Sequence, residues 1–137
     1  MRVHAVRPIL NVSDVRASID WFEQLGWKST FVWEEERDDE PGFGGVGSGG
    51  AEIYLCRNAQ GSRGTRVPAF PFDDSMGGVW MSWFLERVDD VDALHARAVE
   101  LGYDVSMEPT DEPWGVREFH LRHPDGHTFR IGCHKAR

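Results

Sequence analysis

Residues 9–27 read ILNVSDVRASIDWFEQLGW, and residues 88–103 read VDDVDALHARAVELGY. Laid on one another they share a frame. Val12-Ser13-Asp14-Val15 falls on Val88-Asp89-Asp90-Val91, and Leu25-Gly26-Trp27 on Leu101-Gly102-Tyr103, each pair 76 residues apart. The same spacing sets Gly50 on Gly126 and Ile53-Tyr54-Leu55 on Phe129-Arg130-Ile131. One spacing that holds through a loop marks an internal duplication.

Each copy reads as strand, helix, then strands. Arg7 to Val12 alternates loosely, as a strand does. Ser13 or Asp14 offers an oxygen to cap a helix whose apolar stripe is Val15, Ile19, Phe22 and Leu25. Gly26 ends it, since glycine tolerates the left-handed geometry of a helix stop. The second copy repeats the pattern with Asp89 or Asp90, then Val91, Leu94, Ala98 and Leu101, then Gly102. Ile19, Phe22, Leu94 and Leu101 are therefore expected to be buried against the sheets. Strands are expected at 27–34, 51–56, 103–107, 116–122 and 127–132, with a short one near 44–47 completing the first copy. Pro124-Asp125-Gly126 signals the turn before the last strand. The stretch 35–50 is acidic and then glycine-rich, and reads as a long loop. The Gly, Pro and Ser content of 58–78 marks a linker. The fold class is thus α+β: two tandem βαβββ modules with mixed sheets, in a single domain, module one over about 1–57, a linker over about 58–77, and module two over about 78–137.

Composition bounds the function. With 137 residues, 40% hydrophobic and 28% charged, the chain has the make-up of one globular domain. Its net charge of −8 disfavours nucleic acid and anionic membrane and favours cationic partners. No apolar run approaches the roughly 18 residues that span a bilayer, and the first twelve residues lack a signal-peptide layout. Two cysteines, Cys56 and Cys133, make no disulfide framework, so a reducing, cytoplasmic setting is expected. Neither a Gly-x-Ser-x-Gly elbow nor a phosphate loop is present.

The blocks 9–27, 88–102 and 114–131 (WGVREFHLRHPDGHTFRI), in this order and inside a repeat, make the chain resemble the vicinal oxygen chelate superfamily of glyoxalase I, extradiol dioxygenases, fosfomycin-resistance enzymes and bleomycin-resistance proteins. The resemblance implies curved sheets whose concave faces line a cleft. It also implies ligand positions five residues before the valine that precedes each helix, and in the last strand of each half. Carried over, these are Arg7 and Trp83, and Tyr54 and Arg130. A bulge near Glu86 and Arg87 would put Ser82 in place of Trp83. Arginine and tryptophan have no lone pair for a divalent ion, tyrosine is an uncommon ligand, and serine would not restore the site. No bound metal and no other cofactor are therefore expected.

The six histidines include His123 and His127 astride a turn, which is no helical metal motif. If Phe119 and Leu121 face the helix, alternation turns Glu118, His120 and Arg122 to the cleft. Tryptophan is abundant. Trp21 and Trp27 fit a core, whereas Trp33, Trp80, Trp83 and Trp114 fit either packing or a wall that stacks a planar or cationic ligand. The acidic run Glu34-Glu35-Glu36 and Asp38-Asp39-Glu40 fits a solvated loop or an electrostatic guide.

The ligand contacts expected are Arg7, Trp33, Tyr54, Trp83, Trp114, Glu118, His120 and Arg130, with no catalytic residue; pairing of Glu118 with Arg7 or Arg130 would make those cations structural. The resemblance is nearest to the bleomycin-resistance branch, which implies a homodimer that sequesters a small molecule. The alternatives are a metal-dependent lyase, isomerase or dioxygenase using His4, His120 or Glu118, and a metal-free enzyme with His120 as base and Arg7 or Arg130 holding an anion.

Overall fold

The computed structural model describes residues 1–34, 40–64 and 77–135. The chain forms two compact units, Met1–Ser62 and Arg63–Arg137. In the first, β1 (Ile9–Val12), α1 (Val15–Glu23), β2 (Lys28–Trp33), β3 (Phe43–Ser48) and β4 (Ala51–Arg57) follow in order. The second repeats the plan with β5 (Trp80–Phe84), α2 (Val88–Glu100), β6 (Asp104–Asp111), β7 (Val116–Arg122) and β8 (Thr128–His134). The sheet orders are β1-β4-β3-β2 and β5-β8-β7-β6. In each, the first strand runs parallel to the last and the other pairs are antiparallel. The expected α+β pair of βαβββ modules with mixed sheets is what forms.

In the first unit Asp14 caps α1, its carboxylate accepting from Ala17 N at 3.0 Å. Gly26, at φ +97, turns the chain out of the helix, and Trp27 N donates back to Phe22 O. Phe22 is fully buried, with the edges of Trp21 and Trp27 against it at 5.0 and 5.5 Å. Beneath α1 lies Gly44, where a Cβ would come 3.0 Å from Val15 Cγ1 and 3.3 Å from Ile19 Cδ1. A glycine here lets the helix settle onto β3, so close packing offsets the poor strand propensity of a run such as GFGGVG. The short strand expected near 44–47 forms as β3 inside the stretch 35–50, which shortens the loop; residues 35–39 of the acidic run lie outside the described residues.

The second unit departs from expectation at its helix. The cap position is Arg87, with no side-chain cap; Asp89 and Asp90 lie inside the first turn, where their charge suits the helix dipole. The sheet-facing line of α2 is Val91, His95 and Ala98, with His95 edge-on to Phe119 at 5.4 Å. Leu94 and Leu101 fall on its flank and are half-buried, not buried as expected. In α1, Ile19 and Phe22 are buried as expected.

The 76-residue frame also stops at α2. Tyr54 and Arg130 are 76 apart, but their partners in the parallel ladders, Ile9 and Ser82, are 73 apart. Three residues have entered between β5 and Val91, and the extra helical turn at Val88–Asp90 absorbs them. The counterpart of Trp83 is therefore the core residue Leu10, and that of Arg7 is Trp80. Burial agrees: Leu10 and Trp83 are buried, while Trp80 is exposed.

Beyond α2, β6 runs to Asp111 instead of ending near Met107. It is an edge strand with two irregularities, which accommodates Pro109. At the Pro124-Asp125-Gly126 turn, Gly126 N donates to His123 O and φ is +84. Gly64 N donates to Asp125 O at 2.8 Å, and a Cβ on Gly126 would strike Gly64 at 2.3 Å. Most of the expected linker, 65–76, lies outside the described residues.

Candidate ligand-binding site

Each sheet has a face turned to its helix and an open face. On β7, Phe119 and Leu121 are fully buried on the helix side, so the pleat turns Glu118, His120 and Arg122 to the open face. On β5 the burial alternates, with Trp80, Ser82 and Phe84 exposed and Trp83 buried. The ring of Trp83 stacks on Phe129 at 4.5 Å and 24°.

The open face of the second unit carries a recess of about 250 Å³, lined by Ser82, Trp83, Phe84, Trp114, Val116, Glu118, Arg130, Gly132 and His134. Its polar centre is an ion pair. Arg130 Nη2 donates to both oxygens of Glu118, at 2.9 and 3.1 Å. Glu118 is only 4% exposed, whereas the guanidinium of Arg130 also lies 5.3 Å over the ring of Trp80. His120 Nε2 stands 3.6 Å from Glu118 Oε1. The rim is aromatic: Trp114 is 61% and Phe84 62% exposed, and Phe84 stacks on His134 at 5.0 Å. Gly132 makes the floor. A Cβ there would lie 2.8 Å from Arg117 O, 2.9 Å from Glu118 Cβ and 3.0 Å from Val116 Cγ1.

The open face of the first unit is filled. Phe31, Phe43 and Tyr54 pack edge to face, 5.1 to 5.5 Å between centroids. They lie over Gly45, where a Cβ would meet Phe31 at 2.7 Å. Arg7 Nε donates to Glu52 Oε1 at 2.6 Å. Hydrogen bonding from Thr30, and then from Arg7, holds the Glu52 carboxyl below the usual carboxylate range. Trp33 is paired with Phe43 at the end of β2 and is half exposed.

Of the residues expected at a ligand site, Trp114, Glu118 and Arg130 line one recess, Trp83 borders it from the core side, and His120 adjoins Glu118. Arg7, Tyr54 and Trp33 belong to the first unit. His4 is exposed in the segment before β1. Sequence reasoning named Ser82 only as a replacement for Trp83 under a register shift, and missed Phe84, Val116, Gly132 and His134. The signal for Phe84 was available, since alternation along Trp80–Phe84 puts 80, 82 and 84 on one face.

The turn next to this sheet holds His123 and His127, 5.4 Å apart. Each Nδ1 accepts a backbone N–H, from Asp125 at 3.0 Å and from Val79 at 2.9 Å, which leaves the ring proton on Nε2. Burial, then the neighbouring His127, pushes the His123 imidazole down to about 3 against the opposing pull of Asp125.

Two βαβββ units with open mixed sheets define a known class of fold, and the comparisons place the chain in it. A model of the Glyoxalase/Bleomycin resistance protein/Dioxygenase superfamily matches residues 2–131, and the chain belongs to that superfamily. No curated protein matches it. Among solved structures it resembles TioX from Micromonospora sp. ML1, at 19% identity over 96% of this chain and 99% of that one, with a TM-score of 0.74. It also resembles a bleomycin-binding protein complexed with bleomycin (17% identity, 97% and 100% covered, TM-score 0.64). A third likeness is to a bleomycin resistance determinant encoded on the transposon Tn5 (19%, 98% and 100%, 0.63). These likenesses are of fold.

The positions at which metal-dependent relatives would hold an ion do not fit one here. They carry Arg7 and Tyr54 in the first unit, and their counterparts Trp80 and Arg130 in the second. Guanidinium and indole offer no lone pair, and a guanidinium repels a cation. Among the described residues no three His, Cys, Asp or Glu side chains are grouped to hold a metal.

Proposed function

We propose that this chain is a binding protein that sequesters a small planar or cationic organic compound, of the bleomycin type, without a protein-held metal and without chemistry. The observation that carries the reading is the recess on the second sheet, rimmed by the exposed rings of Phe84 and Trp114 and closed below by the Glu118–Arg130 pair. Exposed rings around a polar centre suit a flat ligand that stacks and hydrogen-bonds. Trp83, which borders the recess, and His120, beside Glu118, are the further contacts of this reading, and the net charge of −8 favours a cationic ligand. At about 250 Å³ the recess is smaller than the ~300–1,000 Å³ of a drug-sized site, so it takes one flat group of a larger compound.

The two units are taken as modules of one domain, and the assembly as a cytoplasmic homodimer. Exposed aromatics at Trp80, Phe84 and Trp114 support a partner surface. Among the described residues no helix is long and apolar enough to cross a membrane, and Cys56 and Cys133 are free thiols. Light scattering at micromolar concentration checks the dimer, and a monomer contradicts it.

One observation favours a second reading, a lyase, isomerase or dioxygenase with shifted ligands: the approach of His120 to Glu118 on the open face. Metal analysis of protein purified without chelator, followed by titration with metal-free bleomycin, separates the two. Binding without chemistry gives substoichiometric metal and saturable quenching of tryptophan fluorescence that weakens in Trp114→Ala. One tightly held metal per chain contradicts it.

A further inference from the structure

Resting on that reading, we infer that the recess selects a neutral flat group whose edge carries a hydrogen-bond donor beside an acceptor, such as a primary carboxamide on an aromatic ring, over the isosteric cation or anion. Glu118 and Arg130 both line the recess and are joined through Arg130 Nη2. The pair presents an acceptor and a donor side by side with no net charge. A ligand cation that bonds Glu118 meets the like charge of Arg130, and a ligand anion that bonds Arg130 meets that of Glu118. Displacing either partner is costly, because Glu118 is 4% exposed and would be left a buried, uncompensated charge. Trp80, lying over the guanidinium, also holds Arg130 in place. A carboxamide bonds both partners at once: its N–H₂ donates to Glu118 and its oxygen accepts from Arg130, while the ring to which it is joined lies against Trp114 and Phe84.

Room for that edge comes from Gly132. It is directly opposite Glu118 in the β7–β8 ladder, and a Cβ at 132 would come 2.8 Å from Arg117 O and 2.9 Å from Glu118 Cβ, so any side chain there would push on the strand that carries the carboxylate. Gly132 is thus the residue that sets the depth of the recess, and Glu118 the residue that sets its polarity.

The test titrates wild-type protein with benzamide, benzamidine and benzoate, three ligands of one shape and three charges, followed by tryptophan fluorescence and by NMR line broadening of the ligand. Benzamide is expected to bind about fivefold tighter than either ion, the low end of the effect of a mismatched polar group. Glu118→Gln, which removes the charge and keeps the shape, should erase the discrimination against benzoate. Gly132→Val should abolish benzamide binding. Should either variant fail to fold, the wild-type comparison decides alone. An ion that binds as tightly as benzamide overturns the inference and leaves the stacking reading standing. If none of the three binds at millimolar concentration, the reading of the recess as a site for flat groups falls, and the inference with it.

Discussion

The two units share one plan, yet their open faces differ in kind. At ladder-equivalent places the first sheet has Cys56 opposite Phe43 and the second has Gly132 opposite Glu118. Likewise Tyr54 corresponds to Arg130, and Ile9 to Ser82. In the first unit rings occupy the space over Gly45 in the neighbouring strand, and the face is filled. In the second the glycine is in the last strand itself, the facing residue is a carboxylate, and the rings are pushed to the rim. Duplication supplies two equal frames; exchanging which strand carries the glycine turns one into a packed surface and the other into a recess.

The comparison depends on the three-residue shift at α2, which is open to the largest effect. Trp83 is the counterpart of buried Leu10 and stacks on Phe129, so Trp83→Ala should cost ~3–5 kcal/mol of unfolding free energy in urea denaturation. Trp80→Ala, which loses a contact with Arg130 at an exposed site, should cost only ~0.5–1 kcal/mol. Equal costs would restore the uninterrupted 76-residue frame.

Next in size is a transplant. Gly132→Cys gives the second sheet the residue the first has at Cys56. Close backbone and side-chain neighbours must then shift, at a cost of ~1–3 kcal/mol. The flat ligand should be lost as well. Retained binding would mean that Gly132 does not shape the site.

The β3–β4 and β7–β8 connections sharpen the contrast through pH. The first turns at Gly49 and Gly50, and the second holds the buried His123. With its folded value near 3 against an ordinary 6.5, His123 takes up a proton in the unfolded chain first. Stability should be complete above about pH 6.5 and fall as pH drops toward 3, by up to ~1.4 kcal/mol per pH unit. Urea denaturation between pH 6.5 and 5, above the range in which the carboxylates titrate, should show this slope, and His123→Phe should flatten it. An unchanged slope in the variant would place the proton elsewhere. The smallest effect is expected from Arg7→Ala, whose exposed pair with Glu52 should be worth only ~0.2–1 kcal/mol.

Much of this was legible in the sequence. Helix stripes, stop glycines and the Pro124-Asp125-Gly126 turn are local signals; α1, both stop glycines and the turn formed where they pointed, whereas α2 begins at Val88, ahead of its Asp89 or Asp90 cap signal. The alternation in β7 read correctly for Phe119 and Leu121 because an antiparallel strand with one buried face has a strict period of two. The placement of Trp83 was not legible. A helix can take three more residues as one extra turn with no change in its apolar stripe, so counting back from Val88 cannot reveal the slip in the strand before it. The recess was equally hidden, since a glycine in a strand does not say whether helix, ring or ligand will use its space. At Gly44 it is the helix, at Gly45 a ring, and at Gly132 the neighbouring strand at Glu118 and Val116, beside the recess that Gly132 lines.

Amide NMR shift mapping during a benzamide titration tests the difference between the two faces most directly. Shifts are expected at Val116, Glu118 and Gly132 and at the Trp114 indole, with Gly45, Tyr54 and Cys56 unmoved. Shifts centred on Gly45 and Tyr54, with Glu118 and Gly132 unmoved, would contradict it.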